Sequence, residues 1–250
     1  MLAPLPYSHI ALRSAYAAFI ASLIVYLLFP DKAELGASAL CGLELRTLID
    51  TLLTRNRIYI WKEKLHPAKA NSELALQLLT LFGTVFVVFG LAEIFVSGGG
   101  RLTMSPKSST SFPELYYTNF VVLTTGILLS LLFSGGGLLL ILNWYAFHWS
   151  TSLVYFGTAV AAGRVGLWEV TKTAGSWLPF LGLEVIAICL SGLGAVFLSK
   201  ALRKYELRSV PMKRVAKTAL LLIVVSFFIL AVATLVELSF ATSASEIFID

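Results

Sequence analysis

The sequence predicts an all-α fold, a polytopic integral membrane helical bundle, and three observations carry that prediction. Of 250 residues, 58% are hydrophobic and only 13% are charged, more apolar surface than one soluble core can bury. The apolar residues fall into six continuous runs near the roughly 20 residues that a helix needs to cross a bilayer. Lysine and arginine collect in two of the stretches between those runs. The runs are Ile10 to Phe29, Leu74 to Val96, Tyr117 to Phe133, Leu138 to Ala162, Trp177 to Leu198 and Ala219 to Phe240. Their continuity excludes a β-barrel, whose strands would read as short alternating segments.

Taken in order, the first run follows Pro4 and Pro6 and contains a lone Arg13. It lacks a basic start and has no small-residue cleavage site before Pro30, so it reads as a membrane anchor and not as a removable signal peptide. Across residues 33–54, Cys41, Leu45, Leu48, Ile49 and Leu52 recur at helical spacing, and Glu44, Thr47, Thr51 and Arg55 fall on the other side. This amphipathic cytoplasmic helix could lie on the inner leaflet, dock beneath its own bundle, or bind a partner. Residues 1–70, one span plus the amphipathic and basic stretch, are thus read as an addition to a five-span membrane core over residues 71–250. Gly98 to Gly100, with Ser105, Pro106 and Ser108 to Ser111, forms an exterior loop. Pro113 and Glu114 open the third span, Ser134 to Gly137 turns the chain into the fourth, and Ser209 with Pro211 opens the sixth. Cys41 and Cys189 lie in apolar surroundings with no metal-type spacing and read as packing residues.

Orientation follows from the basic residues, since short loops rich in them stay cytoplasmic. Arg55, Arg57, Lys62, Lys64 and Lys69 precede the second span, and Lys200, Arg203, Lys204, Arg208, Lys213, Arg214 and Lys217 lie between the fifth and sixth. Six spans put both clusters on one face. The opposite loops hold only Arg101 and Lys107, then Arg164 and Lys172, so both termini are placed outside the cytoplasmic membrane and the basic loops inside. The net charge of +5 therefore calls for no nucleic-acid partner, although such loops attract anionic lipid headgroups. Tyr59, Trp61, Tyr116, Tyr117 and Trp177 supply aromatic anchors near helix ends.

Along the fifth span, Ala187, Ser191, Ala195 and Ser199 repeat every four residues and form a stripe where another helix can approach closely. Glu184 begins the same face. A carboxylate at the bilayer centre costs roughly 2.5–3.5 kcal/mol on insertion scales, so Glu184 and Glu237 require partners or protons. Asn119, Asn143 and His148 complete the predicted intramembrane polar cluster. Trp144, His148, Thr151 and Tyr155 share a helical face able to supply donors to a carboxylate. Two readings follow: polar glue between helices, or a pocket for a proton or solute with His148 as donor or relay. Glu93, near a span end, reads as snorkelling or loop-paired. No Walker-type loop, His-Glu-x-x-His or Gly-x-Ser-x-Gly motif occurs, and no metal, cofactor or enzymatic activity is expected.

From Glu114 onward the motifs Tyr117-Thr118-Asn119, Gly135-Gly136-Gly137, Leu142-Asn143, Leu183-Glu184 followed by Ala187, Gly192 and Gly194, and Ala231 to Glu237 stand in a characteristic order. Residues 70–243 thereby resemble the stage II sporulation protein M family of polytopic membrane proteins. The chain departs from that pattern at Phe180 and Leu181, where the family has His-Gly, and at Trp144, where it has Gly. What the resemblance implies is a non-enzymatic scaffold of prokaryotic membranes, which in endospore formers works with peptidoglycan-degrading partners. The expected function is a scaffold or assembly subunit contacting membrane lipids and either a membrane-protein partner or a second copy. The alternative is a transporter or channel component using Glu184, Glu237 and His148.

Overall fold

In a computed structural model, which describes residues 5–61, 66–97, 111–163 and 167–245, the chain forms seven α-helices and no strand among those residues. They are α1 (Tyr7–Leu28), α2 (Ala33–Trp61), α3 (Pro67–Ser97), α4 (Phe112–Phe133), α5 (Gly135–Ala161), α6 (Leu167–Lys204) and α7 (Val210–Ser245), with a 3₁₀ turn at Pro30–Lys32. Lys62, Lys64, Arg101, Lys107, Arg164 and most of the exterior loop, Gly98–Gly100 with Ser105, Pro106, Ser108 and Ser109, lie outside the described residues. So do the side chains of Trp61, Lys172 and Trp177.

Among the described residues, five helices are long and apolar enough to cross a membrane: α1, α3, α4, and the segments Leu178–Lys204 of α6 and Val210–Ser239 of α7. The chain is a multi-pass helical membrane protein. The sequence predicts a sixth span at Leu138 to Ala162, and that element is the difference. It folds as α5, a 27-residue helix whose middle carries Asn143, His148, Ser150, Thr151 and Ser152 among its aromatics, and it is not one of the five.

The helices divide into two units, residues 1–101 with 139–154, and residues 102–138 with 155–250. This partition differs from the sequence division at residue 70, because α3 packs against α1 and α2. In the first unit, α2 turns Cys41, Leu45, Leu48, Ile49 and Leu52 inward, all essentially unexposed, and leaves Glu44, Thr47 and Thr51 outside. Of the three possibilities for the amphipathic helix, packing on its own bundle accounts for the apolar face. Burial, and secondarily Glu44, pushes the Cys41 thiol up to about 12. Two tyrosines clasp α1 to α3 in parallel: the Tyr7 hydroxyl donates to Glu73 at 2.7 Å, and nineteen residues on, Tyr26 donates to Glu93. Between them the Arg13 guanidinium donates to Thr47 of α2 at 2.9 Å.

The second unit is built on close backbone approach. Only Ser134 separates α4 from α5, with φ at 54°, and Gly137 then presses so near that a Cβ would stand 2.1 Å from the Leu129 carbonyl oxygen. Glycine is required there. On α6, a Cβ at Gly194 would meet the Ala219 carbonyl oxygen of α7 at 2.8 Å, which marks the tight contact of that antiparallel pair.

Candidate functional site

The polar centre of the second unit forms where α4, α6 and α7 meet. Pro113 at the start of α4 and Glu114 in its first turn set that helix going, and Asn119 follows two turns later on its inner side. Its amide nitrogen donates to Glu184 Oε1 on α6 at 2.6 Å and reaches Glu237 Oε2 on α7 at 3.5 Å. Glu184 is 2% exposed, whereas Glu237 is half-buried. One neutral amide thus bridges two acidic side chains from two other helices. An amide NH₂ carries two donors, so it can serve both carboxylates while leaving its own oxygen free to accept.

The small-residue stripe continues from Glu184 down α6. Ala187, Ser191, Ala195 and Ser199 are all buried, and the far end is pinned to α4 by Ser199, whose hydroxyl donates to the Leu131 carbonyl at 2.7 Å and lies 3.0 Å from Ser134 Oγ. One turn on, Arg203 donates to the Leu132 carbonyl at 3.1 Å, satisfying an otherwise open acceptor at the C-terminus of α4. Ser191 bonds back to Ile188 of its own helix at 3.1 Å. The stripe is therefore occupied within the chain: α6 runs parallel to α4 along it, tied at Asn119 above and at Ser199 below.

Asn143 and His148, grouped with these residues by sequence, belong to the first unit. Asn143 is fully buried and points its amide nitrogen at the Ser38 carbonyl of α2 at 3.5 Å, beside Gly42. His148 Nδ1 lies 3.5 Å from Glu34 Oε1, an ion pair whenever the ring is protonated. Trp144 stacks on the same imidazole at 5.8 Å between centroids, and Thr151 returns its hydroxyl to the Phe147 and His148 carbonyls. The carboxylate nearest this helical face is Glu34, with no hydrogen bond closed between it and the ring. Sequence reasoning passes over Glu34, although it stands in phase with Ser38, Cys41 and Leu45 on the buried side of α2.

Glu93 also departs from expectation. It is 3% exposed and is held by Tyr26, whose ring packs near Phe147 in an aromatic core completed by Phe89. A snorkelling side chain would be exposed; this one is roofed by its neighbours. Tyr26 escapes a reading of the sequence because a tyrosine inside an apolar run counts as bulk, and its hydroxyl only gains meaning once α1 and α3 are aligned.

Among the described residues, no group of three or more histidine, cysteine or acidic side chains is placed to hold a metal ion. Cys41 and Cys189 are both free and buried. The polar groups instead join helices in sets of two or three. Comparison with known proteins finds no matching family model, no matching curated protein and no matching solved structure.

Proposed function

We propose that this chain is a non-enzymatic scaffold or assembly subunit of a membrane complex, of the kind that the likeness to the stage II sporulation protein M family implies. The observation that carries the reading is the Asn119–Glu184 contact, closed at 2.6 Å around a carboxylate that is 2% exposed. A group that works on a solute must meet that solute, and Glu184 is packed against a helix partner instead. Buried polar groups of this type fix which helices pair and in what register, at little net gain in stability. Asn119, Glu184 and Glu237, three of the residues on which the likeness rests, come from three separate helices and converge. The small-residue stripe lends no direct support to a partner surface, since α4 already lies along it.

A transporter or channel component is the second reading, and one observation favours it: Glu184 and Glu237, acidic side chains from two helices, are drawn to a single amide. Proteoliposome flux that is unchanged by Glu184→Gln and Glu237→Gln would remove its basis. The scaffold reading is tested by crosslinking in native membranes followed by affinity isolation of the full chain. A stable protein partner or a second copy is expected in the isolated complex, and recovery of the lone monomer would contradict it. Insertion in the cytoplasmic membrane with both basic stretches inside belongs to this proposal; the N-terminus, which the sequence predicts outside, falls with the first basic stretch instead, because Tyr7 lies beside Glu73 at the start of α3. Residue-specific labelling that places the Arg55–Lys69 and Lys200–Lys217 stretches on opposite faces would overturn it.

A further inference from the structure

The turn joining α6 to α7 holds Lys200, Arg203, Lys204, Arg208, Lys213, Arg214 and Lys217 against one acid, Glu206. It stands where two membrane-crossing segments, Leu178–Lys204 and Val210–Ser239, end together, and so at the level of lipid headgroups. Not all of these charges are alike. Arg203 is engaged with the Leu132 carbonyl, and Lys204 lies over the Tyr205 ring at 5.6 Å. Lys213, Arg214 and Lys217 are exposed and form no ion pair among the described residues. Ser209 starts α7, its hydroxyl accepting from the Met212 amide at 3.4 Å, which fixes the phase of the first turns.

That phase aligns two chemistries. At 100° per residue, Lys213, Lys217, Leu220, Val224 and Phe228 share one narrow stripe of α7. The three apolar members are 63%, 57% and 71% exposed. The stripe thus passes from two ammonium groups to a lipid-exposed apolar track within a single helical turn, the order in which a phospholipid presents its phosphate and its acyl chains. Lysine stems of four carbons reach back toward the headgroup level without leaving the apolar track bare.

We infer that this face of α7 is a binding site for an anionic phospholipid, whose headgroup phosphate pairs with Lys213 and Lys217 and whose acyl chain lies along Leu220, Val224 and Phe228. A basic loop present for orientation alone needs only its net charge; a site needs these two positions. Arg214, 100° around the helix from Lys213, adds general attraction beside the stripe. The inference stands on α6 and α7 as membrane-crossing helices and not on the scaffold reading.

The test reconstitutes the full chain with equal phosphatidylglycerol and phosphatidylcholine, extracts it in mild detergent, and measures retained lipid by native mass spectrometry. The chain is expected to retain phosphatidylglycerol with roughly thirtyfold preference, the scale set by two favourable surface charges. K213Q/K217Q should abolish the preference and K213R/K217R keep it. R46Q/R57Q, which removes the same charge from exposed positions on α2, should leave it intact, and excess inorganic phosphate should not displace the bound lipid. Circular dichroism confirms that each variant remains helical. Lack of preference in the unaltered chain, its persistence in K213Q/K217Q, its equal loss in R46Q/R57Q, or displacement by inorganic phosphate would each overturn the assignment.

Discussion

In the first unit two carboxylates each accept from a tyrosine of another helix, Glu73 from Tyr7 and Glu93 from Tyr26, and Glu34 stands 3.5 Å from the His148 ring. In the second, Glu184 and Glu237 divide one amide between them, and close backbone contact at Gly194 and Gly137 does much of the remaining work. The difference matters because the loss of a donor is costlier than the loss of a bond: the stranded acceptor keeps its full desolvation penalty. Paired one to one, the first unit risks one carboxylate per substitution. The second takes a donor from two at Asn119, and a mutational comparison of the units should expose that asymmetry.

The largest effect is expected at Asn119. Asn119→Leu removes the donor shared by Glu184 and Glu237 and should destabilise the second unit by about 3–5 kcal/mol, read as a lowered thermal midpoint in detergent. A loss no greater than that of a single clasp would break the contrast. Next comes Gly194→Leu, which drives a side chain into the Ala219 carbonyl and should cost about 1–3 kcal/mol or separate α6 from α7; crosslinking between cysteines placed on the two helices measures it. Tyr26→Phe keeps the ring among Phe89 and Phe147 but takes away the hydroxyl, and should cost about 1–3 kcal/mol confined to the first unit. Hydrogen exchange that shows protection lost in α6 or α7 instead would contradict that confinement.

The smallest effect is a matter of pH. With its pKa raised to about 12, Cys41 stays a thiol in the folded protein until far above the point where an ordinary cysteine ionises. Its folded-state pKa is the higher one, so the neutral form favoured by folding is fully present at neutral pH, and its contribution to stability falls as pH rises through about 9 toward 12. Maleimide labelling at about pH 8, below the ordinary thiol range, should therefore be slow in detergent and become fast on unfolding. Rapid labelling of the folded protein would mean that α2 does not pack as described.

The helices are legible in the sequence because continuous apolar runs leave few alternatives in lipid, and the inward face of α2 is legible from spacing alone. The sixth predicted span is a continuous helix, α5, with Asn143, His148 and their hydroxyl neighbours in its middle, and the parallel course of α4 and α6 requires the chain to return between them. Of the predicted polar cluster, Asn119, Glu184 and Glu237 meet, since each stands on the inner side of its own helix. Asn143 and His148 do not join them, because helical phase says which residues share a face and nothing about which helix that face meets. For the same reason Tyr26 carries no signal in the sequence, and Glu34 carries only its phase with Ser38, Cys41 and Leu45. Each is ordinary in its own segment and acquires a partner only through tertiary pairing.

The central claim, that Asn119 and Glu184 form a packed pin between α4 and α6, is tested most directly by comparing Asn119→Leu, Glu184→Leu and the double substitution. If the pin is real, the double variant removes donor and principal acceptor together and recovers much of the stability lost in Asn119→Leu alone. Losses that simply add would contradict it.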